Sequence, residues 1–366
     1  MTSALESTPR ADGFHMPGEH EPQQAVLMAW PERPDNWGDN AVPAQLAFTA
    51  VAAAIAEATP VIMCASAGQL ERARSLLPAS VTVVEIPSND SWMRDIGPSY
   101  VVNDAGAVRG IDWPFNAWGG VVNGLYDDWS ADDALASQVL AMRGEARYRA
   151  PLILEGGAIH VDGEGTCITT EECLLHPGRN PDLDQAQIEA LLCEYLNVSK
   201  VIWLPRGLYN DETDGHVDNI LHVVGPAEVV LTWCDDPDDP MYQICRDCWS
   251  VLAAAKDARG RSFTVHKLPL PGPFYVTEEE AASVDHSPGM VRSAGERLAA
   301  SYANFLISNQ RVVFPLLDPL HDDDVRKLFA TLFPDREVIG VPGRQIVLGG
   351  GNIHCITQQI PAAGQG

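Results

Sequence analysis

The 366-residue chain is short of positive charge: 24 Lys and Arg stand against 50 Asp and Glu, a formal net charge of -26 at pH 7. That deficit argues against nucleic acid or an anionic membrane as a partner, because both are held by basic patches. It suits a cationic substrate, and a solvated acidic surface explains it equally well. No apolar run approaches the roughly 18 residues of a membrane helix. Met1 to Phe14 is polar and lacks the apolar core of a secretory signal. Ser/Gly tracts and long charge runs are missing as well, so nothing reads as a linker, and residues 1–366 are expected to form a single catalytic domain. There is no HExxH or similarly spaced ligand set, which argues against a zinc hydrolase. The eight cysteines form no disulfide framework and point to reduced thiols in a cytoplasm. Cys245-Arg-Asp-Cys248 has CxxC spacing, but it falls in a helical stretch without a second pair and reads as structural.

What is present is a hydrophobic fraction of 46%, enough to bury a sizeable core, and a repeat. Gln24 to Trp30 predicts a strand and Ala44 to Ala58 an amphipathic helix. From there a unit recurs: short apolar strand, loop, helix, second strand, then a polar motif. Its copies are Val61–Cys64, Gln69–Leu77 and Val81–Ile86; Ile111–Asn116, Asp132–Arg143 and Pro151–Leu154; Cys173–His176, Asp184–Leu196 and Val201–Leu204; Val229–Cys234, Tyr242–Ala255 and Phe263–Leu268; and Val312–Leu316, Asp323–Leu332 and Val338–Val341. The stretch from Leu152 to His160 also lines up with that from Ile346 to His354. A unit of roughly 60 residues implies modules that share one core, and five copies suit an α/β arrangement round a common axis. Pro269 to Pro288 reads as a long loop and a candidate lid.

The polar motifs are Asn89-Asp-Ser-Trp-Met-Arg-Asp95, Glu155-Gly-Gly157, Asn210-Asp-Glu-Thr-Asp-Gly-His216-Val-Asp218 and Gly349-Gly-Gly-Asn-Ile-His-Cys355. The last follows an apolar segment, Arg344 to Leu348, that reads as a strand. Three glycines there lose the most backbone entropy on folding and are tolerated where a ligand or chain comes close. Taken singly, each motif has a plain structural explanation. Asp95 beside Arg94 is ordinarily a surface ion pair, Glu155 serves a turn, and Cys355 is a buried thiol behind one. His216 and Asp218 alternate as a strand would, which puts both on one face. His160, His222 and His354 read as structural histidines. In register with the repeat, however, the motifs bring Asp95, Glu155, His216, Asp218 and Cys355 to one end of the axis.

Cysteine with histidine is a nucleophile with its proton-transfer partner. Three carboxylates around them are costly unless a cation joins them. Guanidinium is a planar cation that matches carboxylates bidentately and leaves its central carbon open to a thiol. The implied chemistry is attack on an amidine carbon, loss of ammonia, and hydrolysis of a thiouronium intermediate. A unit charge at 4 Å is worth about 4 kcal/mol at an effective dielectric of about 20, roughly three pKa units. Cys355 among carboxylates is therefore expected to be protonated until a cationic substrate arrives. A histidine cation that lowers the thiol pKa beforehand is the opposing expectation.

The motifs resemble those of the agmatine deiminases, a family of the guanidine-modifying superfamily with the pentein fold. The resemblance spans nearly the whole chain. It includes Met16-Pro-Gly-Glu19-His20-Glu, Trp30-Pro-Glu-Arg33-Pro-Asp-Asn-Trp37, Asp90-Ser-Trp92-Met-Arg-Asp95, Trp113-Pro-Phe-Asn-Ala-Trp118-Gly-Gly, Asn210 to Asn219 and Gly349 to Pro361. It implies a five-module, pseudo-fivefold α/β propeller with the active site on its axis, and hydrolysis of agmatine to N-carbamoylputrescine and ammonia in putrescine and polyamine biosynthesis. Cys355 would be amidinated. His216 would protonate the leaving ammonia and then activate water, with Glu155 in support. Asp95 and Asp218 would grip the guanidinium, while Trp92, Trp118, Asp90 and Glu212 take the chain and distal ammonium and Gly350 and Gly351 let the substrate approach. No metal or organic cofactor is implied, and homo-oligomerisation stays open. The loop after Trp37 reads Gly38-Asp-Asn where the resemblance implies a basic residue. The alternatives are a deiminase for arginine or peptidyl-arginine, and a non-catalytic binding protein on the same scaffold.

Overall fold

Five small sheets, each backed by helix, stand round a common axis. The computed structural model describes residues 4–287 and 290–363. Met1 to Ser3 of the polar N-terminus, and Pro288 at the end of the expected lid, lie outside them. Within the described residues each sheet has an inner strand antiparallel to a middle strand, which then runs parallel to an outer one. Ser99–Val102, Val108–Asp112 and Arg147–Arg149 make one such set. His160–Val161, Thr166–Thr170 and Lys200–Leu204 make the next. Leu221–Gly225, Glu228–Trp233 and Thr264–Pro269 follow, then Leu306–Ile307, Arg311–Leu316 and Glu337–Pro342. The remaining sheet joins the two ends of the chain. Gln358–Pro361 is its inner strand, antiparallel to Gln23–Ala29, with Val61–Ala65 and Thr82–Glu85 beyond. Neighbouring inner strands touch, Gln358–Pro361 against Ser99–Val102 and Leu221–Gly225 against His160–Val161. This is the five-module propeller that the repeat implies.

The helices between middle and outer strands form for local reasons. Met241–Ala254 buries Met241, Ile244, Cys245, Cys248 and Leu252, a helical stripe against its sheet. Both cysteines of the CxxC spacing sit on that buried face. Gln185–Leu196 starts with a reciprocal cap between Asp184 and Gln187. Ser130–Arg143 ends at Gly144, whose φ of 69° closes the last turn.

Three expected strands are not strands. Cys173–His176 begins inside a helical turn, Glu171–Leu174, capped by Thr170, and the middle strand is the threonine-rich Thr166–Thr170 just before it. Threonine hides in an apolar scan although its branched Cβ favours strands. Pro151–Leu154 bends at its first two residues and pairs with no strand; the side chain of Asn180 satisfies the N–H and C=O of Ile153 instead, at 3.0 and 2.8 Å. Arg344–Val347 is a helical turn, not a strand, a case where a short apolar run carries no period. The inner strands were mostly overlooked, being as short as two residues.

Candidate active site

Every polar motif immediately precedes an inner strand, and this puts the motifs at one end of the axis. Asp95 ends a helical turn, Met93–Ile96, before Ser99. Glu155 leads into the 3-10 turn Gly156–Ala158 before His160. His216 and Asp218 flank the start of another, Val217–Asn219, before Leu221. They are not the alternating strand positions expected. Asp211 holds the loop instead, accepting from Thr213 N and Oγ1 and from Asn219 Nδ2, and such side-chain bonds compete with strand pairing. Cys355 lies three residues before Gln358.

Asp95, Glu155, His216, Asp218 and Cys355 are all buried and converge. Gly157 shows how tightly. A methyl group there would lie 2.6 Å from His216 Nδ1 and 3.0 Å from both Asp218 Oδ2 and Asp95 Oδ1. The Gly157 N–H and Trp118 Nε1 donate to Asp95, at 2.9 and 3.0 Å. His216 Nε2 is 3.5 Å from Glu155 Oε2, and Nδ1 is 3.9 Å from Asp95 Oδ1. The Cys355 thiol faces Asp218 Oδ2 at 3.6 Å. His216 Nδ1 and Nε2, Glu155 Oε2 and Asp218 Oδ1 are buried without a hydrogen-bond partner. Groups left this way are costly unless a ligand completes them.

Charge follows from this geometry. Burial, with Asp218 and Asp95 nearby, pushes the Cys355 thiol well above its ordinary value. Burial and the neighbouring carboxylates raise Asp95 to about 6, against the pull of His216. Glu155 is also buried, yet Arg179 and His216 hold it down to about 2. His216 is lifted well above its usual range by Asp95, Cys173 and Glu155 despite burial, so it is an imidazolium. Burial pushes Asp218 up, but the hydrogen bond and charge of His354, together with the charges of His216 and Arg94, hold its carboxyl below the ordinary value.

Trp92, Trp118, Glu212, Gly350 and Gly351 line the cavity in front of Cys355, which has about 10 Å³ of free volume, room for one water. Gly350 has φ 109°, and a methyl group there would meet Glu212 at 2.4 Å. Asp90 is not in that lining. It sits behind Trp92, accepting from Trp92 Nε1, Trp37 Nε1 and Asn36 Nδ2, so it orients the aromatic wall. Arg94, expected as a surface partner of Asp95, is buried and pairs with Glu19.

Several residues at the site carried no sequence signal of their own. Arg179 donates to Glu155 at 2.9 Å. Asn304 Nδ2 donates to Cys355 Sγ at 3.0 Å. Asn304 precedes the inner strand Leu306–Ile307, so the repeat itself could have pointed to it. Arg292 binds Glu212, Asn36 Oδ1 and the Gly349 carbonyl, closing the outer end of the cavity. It brings a cation to the neighbourhood where Gly38 lacks one. Beyond it lies a cavity of about 580 Å³, walled partly by residues 276–284 of the expected lid. Glu155, Cys173 and His216 lie close enough together to converge on a cation, and Arg179 already sets a positive charge on Glu155 Oε1.

A pentein fold with a buried cysteine, a histidinium and paired carboxylates at one end of its axis defines a guanidine-modifying enzyme. Residues 15–361 match the model of the Porphyromonas-type peptidyl-arginine deiminases. A Photobacterium profundum protein, provisionally named an agmatine deiminase, is 60% identical over 361 residues and 99% of each chain. The solved agmatine deiminase of Enterococcus faecalis is 45% identical with a TM-score of 0.97, over 99% of this chain and 100% of that one. A solved Porphyromonas gingivalis protein, provisionally named an arginine deiminase, is 31% identical with a TM-score of 0.83, over 95% and 98%. The chain belongs to the Porphyromonas-type peptidyl-arginine deiminase family and, within it, to the agmatine deiminases. No helix among the described residues is long and apolar enough to cross a membrane.

Proposed function

We propose that this chain, acting as one catalytic domain, hydrolyses agmatine to N-carbamoylputrescine and ammonia through an amidino-cysteine intermediate. The observation that carries the reading is the set of unpartnered buried atoms round Cys355: Asp218 Oδ1, Glu155 Oε2 and both nitrogens of His216. Asp218 and Asp95 hold the guanidinium, and its charge offsets the carboxylates that keep the thiol neutral. The thiol proton passes to Asp218 Oδ2, its nearest acceptor. Sγ bonds to the central carbon, and His216 delivers its proton to the departing amino group. Asn304 Nδ2 steadies the sulfur. Water takes the place of ammonia, neutral His216 accepts one of its protons, and the carbon–sulfur bond breaks as the second returns to sulfur. The proton on Asp218 leaves with ammonia as ammonium. Agmatine and water thus give a urea and ammonium, with every enzyme group restored and no cofactor consumed.

Glu212 suits the distal ammonium, and Trp92 and Trp118 suit the chain between. Agmatine exceeds the free volume described, so the Glu212–Arg292 pair at the outer end has to part for it. Free arginine is the second reading, because Arg292 is a cation where an α-carboxylate would lie. Its Nη1 and Nη2 are engaged by Glu212, Asn36 and Gly349 while Nε has no partner, and it is the acids lining the cavity, Asp95 and Glu212, that favour agmatine. The eight free thiols fit a reducing cytoplasm, and N-carbamoylputrescine as the product gives the reaction a place in putrescine synthesis. The test is ammonia release from agmatine, arginine and a peptidyl-arginine, for wild type and Cys355→Ala. Turnover of agmatine alone, abolished by the substitution, is expected. Turnover of arginine instead would overturn the distal assignment, and no turnover of any guanidine would overturn the reading.

A further inference from the structure

Behind Cys355 lies a second buried cluster of titratable groups that the reaction above leaves unused. His354, the residue before the nucleophile, places Nδ1 2.8 Å from Asp218 Oδ2 and Nε2 2.7 Å from Glu19 Oε2. An ionised carboxylate only accepts, so a ring between two of them donates from both nitrogens and is an imidazolium. Burial and Arg94 oppose that charge; Glu19 and Asp218 outweigh them and lift His354 above its ordinary value.

The groups facing His354 come from every element around it. Glu19 arrives from the N-terminal loop and is held by Arg94 Nη2 at 3.2 Å and the Ile307 N–H at 2.8 Å. Arg94 also donates to the His354 carbonyl and to Gln359, and its own N–H to the Cys355 carbonyl. His222 Nε2 lies 3.4 Å from Glu19 Oε1, and the rings of His160 and His222 pack at 5.1 and 4.9 Å from His354. Burial keeps these two neutral, and the charge of His354 adds to that. Both nitrogens of His354 are spent on carboxylates and Arg94 adjoins Glu19, so the three histidines have no shared vacancy for a cation.

Asp218 shows what the arrangement does. Its Oδ2 takes the His354 bond and faces the thiol, while Oδ1 is left unpartnered. Resting on the reading of Asp218 as a guanidinium grip, we propose that His354, clamped by Glu19 and Arg94, is a positioning residue that fixes Asp218 with Oδ1 free for the guanidinium. It also completes a charge balance. With the thiol neutral, Asp95, Glu155, Asp218 and Glu19 stand against Arg94, Arg179, His216 and His354, and Arg179 also pairs with Asp214 at 2.6 Å. A guanidinium then adds one positive charge, which ammonium carries away when the thiol proton lent to Asp218 leaves with it.

The balance makes the network testable without turnover. His354→Gln keeps a donor but removes a positive charge, so the alkylation pKa of Cys355 should rise by about one unit. With agmatine, kcat should fall about tenfold or more while KM changes by less than about threefold, because a more negative site still attracts the cation. Glu19→Gln removes the opposite charge and lowers the His354 pKa, so kcat should acquire an earlier alkaline limb, lost as pH rises through that lowered value. The double variant restores the balance, and its alkylation pKa should return to within about 0.3 units of wild type. A merely structural role predicts weaker activity with the thiol pKa and the pH limb unmoved, and that result would overturn the proposal. If His354→Gln does not fold, the alkaline limb of Glu19→Gln decides. If wild type turns over no guanidine, the alkylation series still decides the network.

Discussion

His216 and His354 are both buried, both flanked by two carboxylates and both raised in pKa, yet they are built for opposite tasks. His354 sits at 2.8 and 2.7 Å from its partners, with each proton committed. His216 stands at 3.5 and 3.9 Å, and neither nitrogen is hydrogen-bonded. A proton in a short bond to an ionised carboxylate is held, whereas one that is loosely shared can be handed to a leaving group. In the proposed reaction the same residue type thus supplies a fixed charge in one place and a mobile proton in the other. Of the two bystanders, His222 reaches one carboxylate, Glu19 Oε1 at 3.4 Å, rather than two, and burial keeps both it and His160 neutral.

The largest expected effect breaks the mobile side. His216→Asn should lower kcat by about three orders of magnitude or more, with near-normal binding of the guanidine by equilibrium titration. Gly157→Ala should come next. Its methyl group would press on His216, Asp218 and Asp95 together, and kcat should drop about a hundredfold with Tm altered by a few degrees. Asp95→Asn separates activity from stability. The Asp95 carboxyl is raised from 3.8 to about 6, so its ionisation opposes folding, and stability is lost as pH rises from about 4 through 6. Removing it should abolish turnover yet stabilise the fold by about 1–3 kcal/mol at pH 7, a gain that vanishes below about pH 4 in urea titrations. Glu155 carries the opposite sign. Lowered from 4.5 to about 2, it contributes stability above pH 4.5 that is lost as pH falls towards 2, and Glu155→Gln should destabilise at neutral pH by about 3 kcal/mol. The smallest effect is at the outer end. Arg292→Gln frees Glu212 and should lower KM for agmatine a few-fold with kcat nearly unchanged.

The contrast between the two histidines was only half legible in the sequence. His216 falls inside a motif rich in acids, and the repeat carried it to the axis. His354 looked like packing because its partner Glu19 lies at the other end of the chain, in a loop that only ring closure by Gln358–Pro361 and Gln23–Ala29 brings back. The middle and outer strands were readable where Val, Ile and Leu dominate, and failed at Thr166–Thr170 and at Pro151–Leu154, where a threonine-rich run and an asparagine side chain replace the usual signals. Asp90 was misplaced into the pocket because its motif contains Trp92 and Asp95, which do face it; a turn sends Asp90 to the back of the same wall. Arg179 and Arg292 belong to no local pattern; burial of charge selects them, and burial is a property of the fold, whereas the uncharged Asn304 is reachable only through the repeat.

The central claim is that the nucleophile rests as a thiol and that the substrate's own charge makes the thiolate. It is tested most directly by titrating the iodoacetamide alkylation rate of Cys355 in the free enzyme, with Cys355→Ala correcting for the other seven thiols. The account predicts an apparent pKa above the reference of about 8.5. A value near 6 would mean that His216 forms the thiolate before any substrate binds, and would contradict it.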